Sequence, residues 1–185
     1  MSTTTLTTPR LRLRRWRAED RAPFAALNAD PAVMEFFPAT LDRASSDALA
    51  DRIEAHFARH GFGLWAVEVP GTAPFIGFVG LSVPRFTTHF TPCVEIAWRL
   101  AREHWGCGYA SEGARRALVH GFDMLALREI VAFTVPANRR SRAVMQRIGM
   151  HHDRDGDFDH PGLPQDHALR RHVLYRMTAN ERRRD

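Results

Sequence analysis

The sequence contains no lysine, so all 26 of its basic residues are arginines. A Walker phosphate loop requires a lysine that reaches the β- and γ-phosphates of a nucleotide, and we therefore do not expect ATP hydrolysis. Cysteine is also scarce, because Cys93 and Cys107 alone are too few for a disulfide framework or a four-thiolate zinc site. This usage is typical of a reducing compartment, and we expect a cytoplasmic protein.

Long apolar runs are missing as well. No stretch of about 18 consecutive apolar residues is present, and the polar start Met1–Thr5 lacks the apolar core of a signal peptide, so no membrane segment is expected. The 185 residues, 44% hydrophobic and 25% charged, are ordinary for a globular protein. We expect one domain over residues 1–185, with flexible tails at residues 1–8 and 179–185.

The formal net charge is +5, but the arginines are spread along the chain and no recognisable RNA- or DNA-binding motif accompanies them. Nucleic-acid binding is therefore not expected. An arginine-rich site for an anionic ligand would account for part of the excess.

The segment Trp105–Ala110 is the most informative part of the chain. It follows residues 94–100, whose alternating side chains predict a strand, and it precedes apolar residues at helical spacing from Ala110 to Leu125. A strand, a glycine turn and a helix that begins at about Tyr109 or Ala110 direct unpaired amides and the positive end of the helix dipole at one point. The pattern predicts a site for an anionic group such as a pyrophosphate. A dinucleotide-binding fingerprint is disfavoured because Gly106, Gly108 and Gly113 do not have its G-x-G-x-x-G spacing.

Hydrophobic periodicity and turn residues predict the order β-α-α-β-β-β-α-β-α-β-β. The predicted strands lie at about residues 11–16, 63–69, 74–83, 93–100, 130–135, 150–158 and 169–178, and the helices at about 18–28, 42–60, 109–127 and 140–148.

Three ordered motifs resemble the GNAT N-acetyltransferases. The first is the family's Q/R-x-x-G-x-G/A loop, here with Trp105, Gly108 and Ala110 at the three positions. Trp105 departs from the general pattern but is similar to the W-G-x-G-Y-A form of the ribosomal-protein (RimJ/RimL-like) branch. The second is Asn138-x-x-Ser141 followed by Val144–Met150, and the third is residues 28–38, which resemble the first-helix exit of that branch. The similarity spans roughly residues 9–178.

This resemblance implies an α/β (α+β) GNAT fold, a mixed, partly antiparallel twisted sheet of about seven strands flanked by about four helices. It also implies acetyl-CoA as the cofactor, with its pantetheine arm lying between the strand before the glycine loop and the next strand, which splay apart. A backbone N–H there would serve as the oxyanion donor. The residues expected to bind coenzyme A are Trp98, Arg99, Leu100, Trp105, Gly106, Cys107, Gly108, Tyr109, Ala110, Ser111 and Asn138.

Acetyl transfer to an amine needs a base for the amine and a proton for the departing thiolate. Glu95 is the first candidate for the base, directly or through a water, because strand alternation places it opposite the Val94/Ile96 face. It could instead pair with an arginine such as Arg99. A base from the Asp159–His160 turn is a further alternative. The resemblance places Ser141 near the sulfur as the proton donor.

We expect an acetyl-CoA-dependent N-acetyltransferase that acts on a primary amine by direct attack in a ternary complex, with a protein N-terminus as the first expectation. A small-molecule amine, amino acid or antibiotic is the alternative, and a non-catalytic acyl-CoA-binding regulatory module is the second. A closed aromatic pocket lined by Phe36, Phe37 or Phe86 would favour a small molecule, and an open acidic groove would favour a peptide; Asp159 or His160 could bind the incoming amine. Family habit suggests a homodimer.

No metal site is expected. The aspartates from Asp153 to Asp159 imitate the start of a calcium loop, but Phe158 and Pro164 stand where that loop requires glycine and glutamate. The histidines lack the spacing of a catalytic metal site.

Overall fold

Eight strands form one mixed sheet in residues 5–182, the part of the chain that this computed structural model describes. The strands are β1 (Leu6–Thr7), β2 (Arg12–Arg14), β3 (Leu64–Val69), β4 (Ala73–Ser82), β5 (Glu95–Leu100), β6 (Glu129–Thr134), β7 (His151–Asp159) and β8 (Arg171–Thr178). The helices are α1 (Arg21–Ala29), α2 (Arg43–His60), α3 (Tyr109–Val119), α4 (Arg139–Arg147) and α5 (Ala179–Arg182). The sheet order is β1-β2-β3-β4-β5-β6-β8-β7, and the pairing of β5 with β6 is parallel whereas the other pairings are antiparallel.

The predicted mixed sheet flanked by helices is confirmed, with one more strand and one more helix than expected. Both additions fall in segments for which flexible tails were predicted. Leu6 is buried and pairs with Leu13, and α5 is fastened where the side chain of Glu181 accepts hydrogen bonds from Thr178. Residues 5–8 and 179–182, which lie within the segments predicted as tails, thus have partners that local sequence does not reveal. Residues 1–4 and 183–185 lie outside the described part.

Most predicted boundaries agree with the structure to within two residues, but the helix after the glycine loop is shorter than expected. The apolar period predicted one helix to about Leu127. Instead α3 ends at Val119 and continues as a π-helical turn over His120–Met124, in which the amide of Leu125 donates to the carbonyl of His120 at 3.2 Å. Such a widened turn keeps a helix-like apolar pattern. None of the helices in the described residues is long and apolar enough to cross a membrane.

Helices cover both faces of the sheet. Phe24 of α1 packs edge-on against Phe78 of β4, with ring centroids 6.1 Å apart, on the face that carries Glu95 and Arg99. On the opposite face, a Cβ on Gly113 of α3 would lie 3.4 Å from the Val79 side chain, so glycine lets this helix approach β4 closely. We call the first face the acceptor face and the second the helix α3 face.

The sheet opens between β5 and β6. Their ladder consists, within the described residues, of the pair Glu95 and Val131 and a hydrogen bond of 2.9 Å from the Val131 amide to the Val94 carbonyl. Beyond Glu95, β5 stays paired with β4 while β6 pairs with β8. The two central strands therefore diverge, as expected, and leave a gap that connects the two faces of the sheet.

Candidate functional site

A cleft of about 1490 Å³ occupies this gap. It brings together residues that the sequence predicted from four separate segments. The predicted site residues that line it are Phe36, Phe37, Glu95, Trp98, Arg99, Leu100, Trp105, Gly106, Gly108, Tyr109, Ala110, Ser111, Asn138, Ser141 and His160.

Three predicted site residues are not among those lining the cleft. Phe86 packs against His160, which lines the cleft, with their ring centroids 4.7 Å apart. The carboxylate of Asp159 forms ion pairs with Arg170 at 3.4 Å and with Arg171 at 3.5 Å. Cys107 is exposed, and its thiol lies 3.6 Å from the Trp105 carbonyl. The sequence motifs alone could not distinguish a residue that lines the cleft from one that lies just outside it.

The glycine loop has the backbone geometry of an anion cradle. Gly106 and Gly108 have φ angles of 75° and 81°, in the left-handed region that side chains of L-residues disfavour. Gly108 is also the N-cap of α3, and no side chain caps this helix. The first amides of α3 therefore keep their donors for a ligand, and the helix dipole adds positive potential there. The indole Nε1 of Trp105 donates to the Leu100 carbonyl at 2.8 Å and fixes the loop to the end of β5.

A clamp that the sequence analysis missed holds the start of α3. Glu112 accepts hydrogen bonds from the Thr8 hydroxyl at 2.6 Å, from the Arg10 amide at 3.0 Å and from Arg10 Nε at 2.6 Å. The same arginine donates to the Cys107 carbonyl at 3.0 Å and lies 4.9 Å from the Tyr109 ring centre. Burial acts to raise the pKa of Glu112, but the hydrogen bonds from Thr8 and Arg10 outweigh it and lower that pKa. In the sequence, Arg10 begins the arginine-rich stretch Arg10–Arg17, and no local pattern assigns it a role.

Backbone direction along β5 shows which main-chain groups face the gap. The Val94 carbonyl points toward β6. The Ala101 amide points the other way and donates to the carbonyl of Ile76 in β4. Alternation then directs the amide and carbonyl of Trp98 into the gap and those of Arg99 toward β4. The backbone groups of Arg99 belong to the β4 ladder and are not free for a ligand in the gap, and the Leu100 carbonyl is occupied by Trp105.

Glu95 lies at the point where β5 and β6 part, half-buried at the cleft. Burial raises the pKa of its carboxyl to about 8, although the hydrogen bond from the Ser82 hydroxyl, at 3.4 Å, acts in the opposite direction. No ion pair joins it to Arg99 in the described residues; Arg99 Nη1 donates to Asn28 Oδ1 at 2.6 Å instead. The expectation of a Glu95–Arg99 pair is therefore wrong.

His160 is poorly suited to accept a proton. Its Nδ1 accepts a hydrogen bond of 3.1 Å from the Gly162 amide, so the ring proton of the neutral imidazole sits on Nε2. Protonation of Nδ1 would break this bond, and burial lowers the pKa of His160 further. The histidine closes a turn at the edge of the cleft.

Asn138 begins α4 as its N-cap. Its Oδ1 accepts from the Ser141 amide at 3.1 Å, and its Nδ2 donates to the Thr134 hydroxyl at 3.1 Å. These bonds orient α4 from the end of β6, so that Ser141 borders the cleft. The side chain of Asn138 therefore has a positioning role besides any direct contact with a ligand.

The chain matches a known protein family over most of its length. The model of the acetyltransferase (GNAT) domain matches residues 10–151. The chain belongs to the GNAT acetyltransferase family. It is an N-acetyltransferase, and the GNAT domain uses acetyl-CoA.

Several known proteins resemble this chain over most of its length. The uncharacterized protein YkkB of Bacillus subtilis is 34% identical over 152 residues, 82% of this chain and 87% of the relative. The FsC-acetyl coenzyme A-N(2)-transacetylase of Aspergillus fumigatus is 34% identical over 164 residues, 80% of this chain and 65% of the relative. Among solved structures, Mycobacterium smegmatis RimJ in complex with CoA-disulfide aligns with a TM-score of 0.74 and 26% identity, covering 97% of this chain and 88% of its own.

The GNAT cleft also contains arginines that sequence reasoning did not assign to it. Besides Arg10 and Arg99, they are Arg115, Arg116, Arg139, Arg140 and Arg147. Arg140 lies 4.6 Å from the Trp105 ring centre and forms an ion pair of 2.5 Å with Glu35, which joins α4 to the loop before α2. Guanidinium groups suit the phosphates of a coenzyme.

Proposed function

We propose that this GNAT enzyme transfers acetyl from acetyl-CoA to a primary amine whose pKa lies near 8, with the α-amine of a protein N-terminus as the first candidate. The supporting observation is Glu95, which faces the gap with a carboxyl pKa raised to about 8. An α-amine has a pKa of about 7.7–8.0, so proton transfer from it to Glu95 is nearly balanced. A lysine amine, with a pKa of about 10.4, would make the same transfer roughly 3 kcal/mol uphill.

The gap supplies a route for direct transfer. Glu95 reaches it from the acceptor face, and Ser141 borders the same cleft from the start of α4. Glu95 takes the proton of the amine, Ser141 supplies a proton to the departing thiolate, and the Trp98 amide donates to the developing oxyanion. The coenzyme pyrophosphate is held by the amides that begin α3, where glycine replaces a capping side chain.

The charge of the cleft supports an acceptor of low positive charge. Glu95 and Glu112 are the carboxylates among its lining residues, and Glu112 is already bound by Thr8 and Arg10. Arg99 borders the acceptor side of this cleft, so a polyamine would meet a positive charge there. The resemblance of the glycine loop to the ribosomal-protein (RimJ/RimL-like) branch, together with the likeness to RimJ over most of the chain, supports a protein N-terminus as the acceptor.

A small-molecule α-amine is the second candidate, and two observations favour it. Phe37, Phe133 and His160 give the acceptor side aromatic walls. In addition, the Aspergillus relative is named as a transacetylase that acts on FsC.

An acceptor screen tests this proposal. Peptides with free α-amines, amino acids, lysine ε-amines and polyamines are incubated with acetyl-CoA, and mass shifts identify the acetylated nitrogen. We expect α-amines to be acetylated, with kcat lowered in Glu95→Gln and Ser141→Ala but retained in Glu103→Gln, which alters an exposed glutamate. Exclusive ε-amine or polyamine acetylation would contradict the proposal, and coenzyme binding without turnover would support a non-catalytic module.

A further inference from the structure

Arg99 is a cation on the acceptor face without a carboxylate partner. Its guanidinium lies between two rings, 4.0 Å from the centre of Phe37 and 5.5 Å from that of Phe78, and it borders the cleft. Within residues 5–182, no carboxylate lies at ion-pair distance from it. Its Nε is buried and has no hydrogen-bond partner there.

Arg14 is a buried arginine with a structural role, and its partners can be compared with those of Arg99. Its guanidinium binds Asp20 at 2.7 Å and Glu68 at 2.9 Å, so two carboxylates balance its charge, and these partners raise its pKa despite burial. Burial instead lowers the pKa of Arg99 to about 10. A buried charge is normally paired, and aromatic faces compensate for it only in part.

The Arg99 side chain is held in place from behind. Asn28 Oδ1 accepts from Arg99 Nη1 at 2.6 Å, and Asn28 Nδ2 donates to the Ser46 hydroxyl at 2.9 Å. Asn28 and Ser46 are fully buried. A guanidinium fixed in this way binds an anion with little further loss of side-chain freedom.

We propose that Arg99 binds a carboxylate carried by the acetyl acceptor, an inference that rests on the proposed function. Glu95 and Arg99 share one face of β5, with their Cα atoms roughly 13 Å apart and only the small Ala97 between them on that face. Glu95 receives the amine, and the planar guanidinium of Arg99 matches a carboxylate. The acceptor is thus an amine with a carboxylate nearby, either the free α-carboxylate of an amino acid or an acidic side chain near a peptide N-terminus.

Matched acids and amides test this inference. L-Phenylalanine is compared with L-phenylalaninamide as the small-acceptor arm, and peptides with Asp at the second or third position are compared with their Asn counterparts as the peptide arm. We expect kcat/KM in the wild type to be at least about tenfold higher for the acid in one arm, the value of a charged hydrogen bond. The arm that shows the difference identifies the source of the carboxylate. Equal rates for acid and amide in both arms would overturn the inference.

Variants then assign the effect to Arg99. In Arg99→Gln the acid should lose its advantage through a higher KM, while the KM for acetyl-CoA stays unchanged. Arg99→Lys, which keeps the charge but not the planar fork, should retain part of the advantage. Arg154→Gln, which removes an exposed arginine, is the matched control and should behave as the wild type. An acid preference that survives in Arg99→Gln would contradict the inference.

A binding measurement separates this inference from the proposed function. Calorimetry with CoA-saturated protein compares N-acetyl-L-phenylalanine and N-acetyl-Asp-Phe amide with N-acetyl-L-phenylalaninamide and N-acetyl-Asn-Phe amide, and it needs no turnover. If no amine is acetylated, the proposed function fails, while tighter binding of an acid than of its amide would still support the role of Arg99. Equal binding within both pairs would overturn that role even if α-amines are acetylated.

Discussion

Ser82 and Glu95 lie directly opposite each other across the β4–β5 ladder, and the serine hydroxyl is 3.4 Å from Glu95 Oε2. Among the described residues, this long hydrogen bond is the one contact that favours the carboxylate, and burial outweighs it. Glu95 is therefore mostly protonated at pH 7 and becomes a carboxylate as the pH rises through about 8.

This titration predicts the pH dependence of the reaction. At saturating acceptor, kcat should rise with pH and level off above about 8, because only the ionised Glu95 accepts a proton. Glu95→Gln should lower kcat by about 100-fold and remove this dependence. Steady-state release of thiol between pH 6 and pH 9.5 measures both effects. A rise of kcat with pH that persists in Glu95→Gln would show that another group is the base.

The raised pKa of Glu95 also predicts how the stability of the protein depends on pH. Between pH 4.5, the ordinary pKa of a glutamate, and about 8, the folded protein holds a proton on Glu95 that the unfolded chain has lost. This contribution to the free energy of unfolding falls as pH rises through that window and is constant above it. Glu95→Gln should therefore gain stability relative to the wild type from pH 5 to pH 8, by about 2 kcal/mol after allowance for the solvent in the cleft. Urea unfolding measures it, and a difference that is independent of pH would contradict the assignment.

Gly108→Ala should weaken the coenzyme cradle. An alanine at φ 81° introduces backbone strain of about 1–2 kcal/mol and displaces the first amides of α3, so the KM for acetyl-CoA should rise. Gly61→Ala is a matched control, because Gly61 has a φ of 76°, open space around its Cβ position, and lies at the far end of α2. Both variants should lose similar stability in thermal unfolding. Only Gly108→Ala should change the KM, and an equal change in both would indicate a general effect.

The clamp on α3 predicts a separation of kinetic constants. Arg10→Ala removes the bonds to Glu112 and to the Cys107 carbonyl, so the loop loses a support that does not touch the reacting atoms. We expect the KM for acetyl-CoA to rise by about three- to tenfold, with little change in kcat. Arg43→Ala, which breaks an exposed pair with Asp47, serves as the control. A selective loss of kcat in Arg10→Ala would instead place Arg10 in the chemistry.

The N-cap of α4 predicts a stability effect with a conservative rescue. Asn138→Ala should cost about 1 kcal/mol, because the Ser141 amide loses its partner at the start of the helix. Asn138→Ser should restore most of this loss, since serine is also a favoured N-cap. Chemical unfolding measures the stability. Coenzyme affinity that falls equally in both variants would indicate that Asn138 also contacts the coenzyme arm.

Several features of this protein were determined by local sequence. Alternation along residues 94–100, the glycines at 106 and 108, and the apolar period after them predicted a strand, a turn and a helix, and the structure has all three. These features depend on interactions within a few residues, where side-chain period and the left-handed freedom of glycine decide the backbone. The glycine loop and the Asn138 motif also sufficed to indicate the GNAT family.

Only the tertiary structure decided which side chains meet. Arg10 reaches Glu112 across 102 residues, and Arg99 binds Asn28 across 71 residues instead of pairing with Glu95 on its own strand. No local pattern encodes such contacts, because they depend on how helices cover the sheet. The burial that raises the pKa of Glu95 to about 8 likewise arises from the packed environment and not from the glutamate itself. The sequence therefore determined the strand, the glycine turn and the helix that follows it, whereas packing decided which charges and partners surround Glu95 and Arg99.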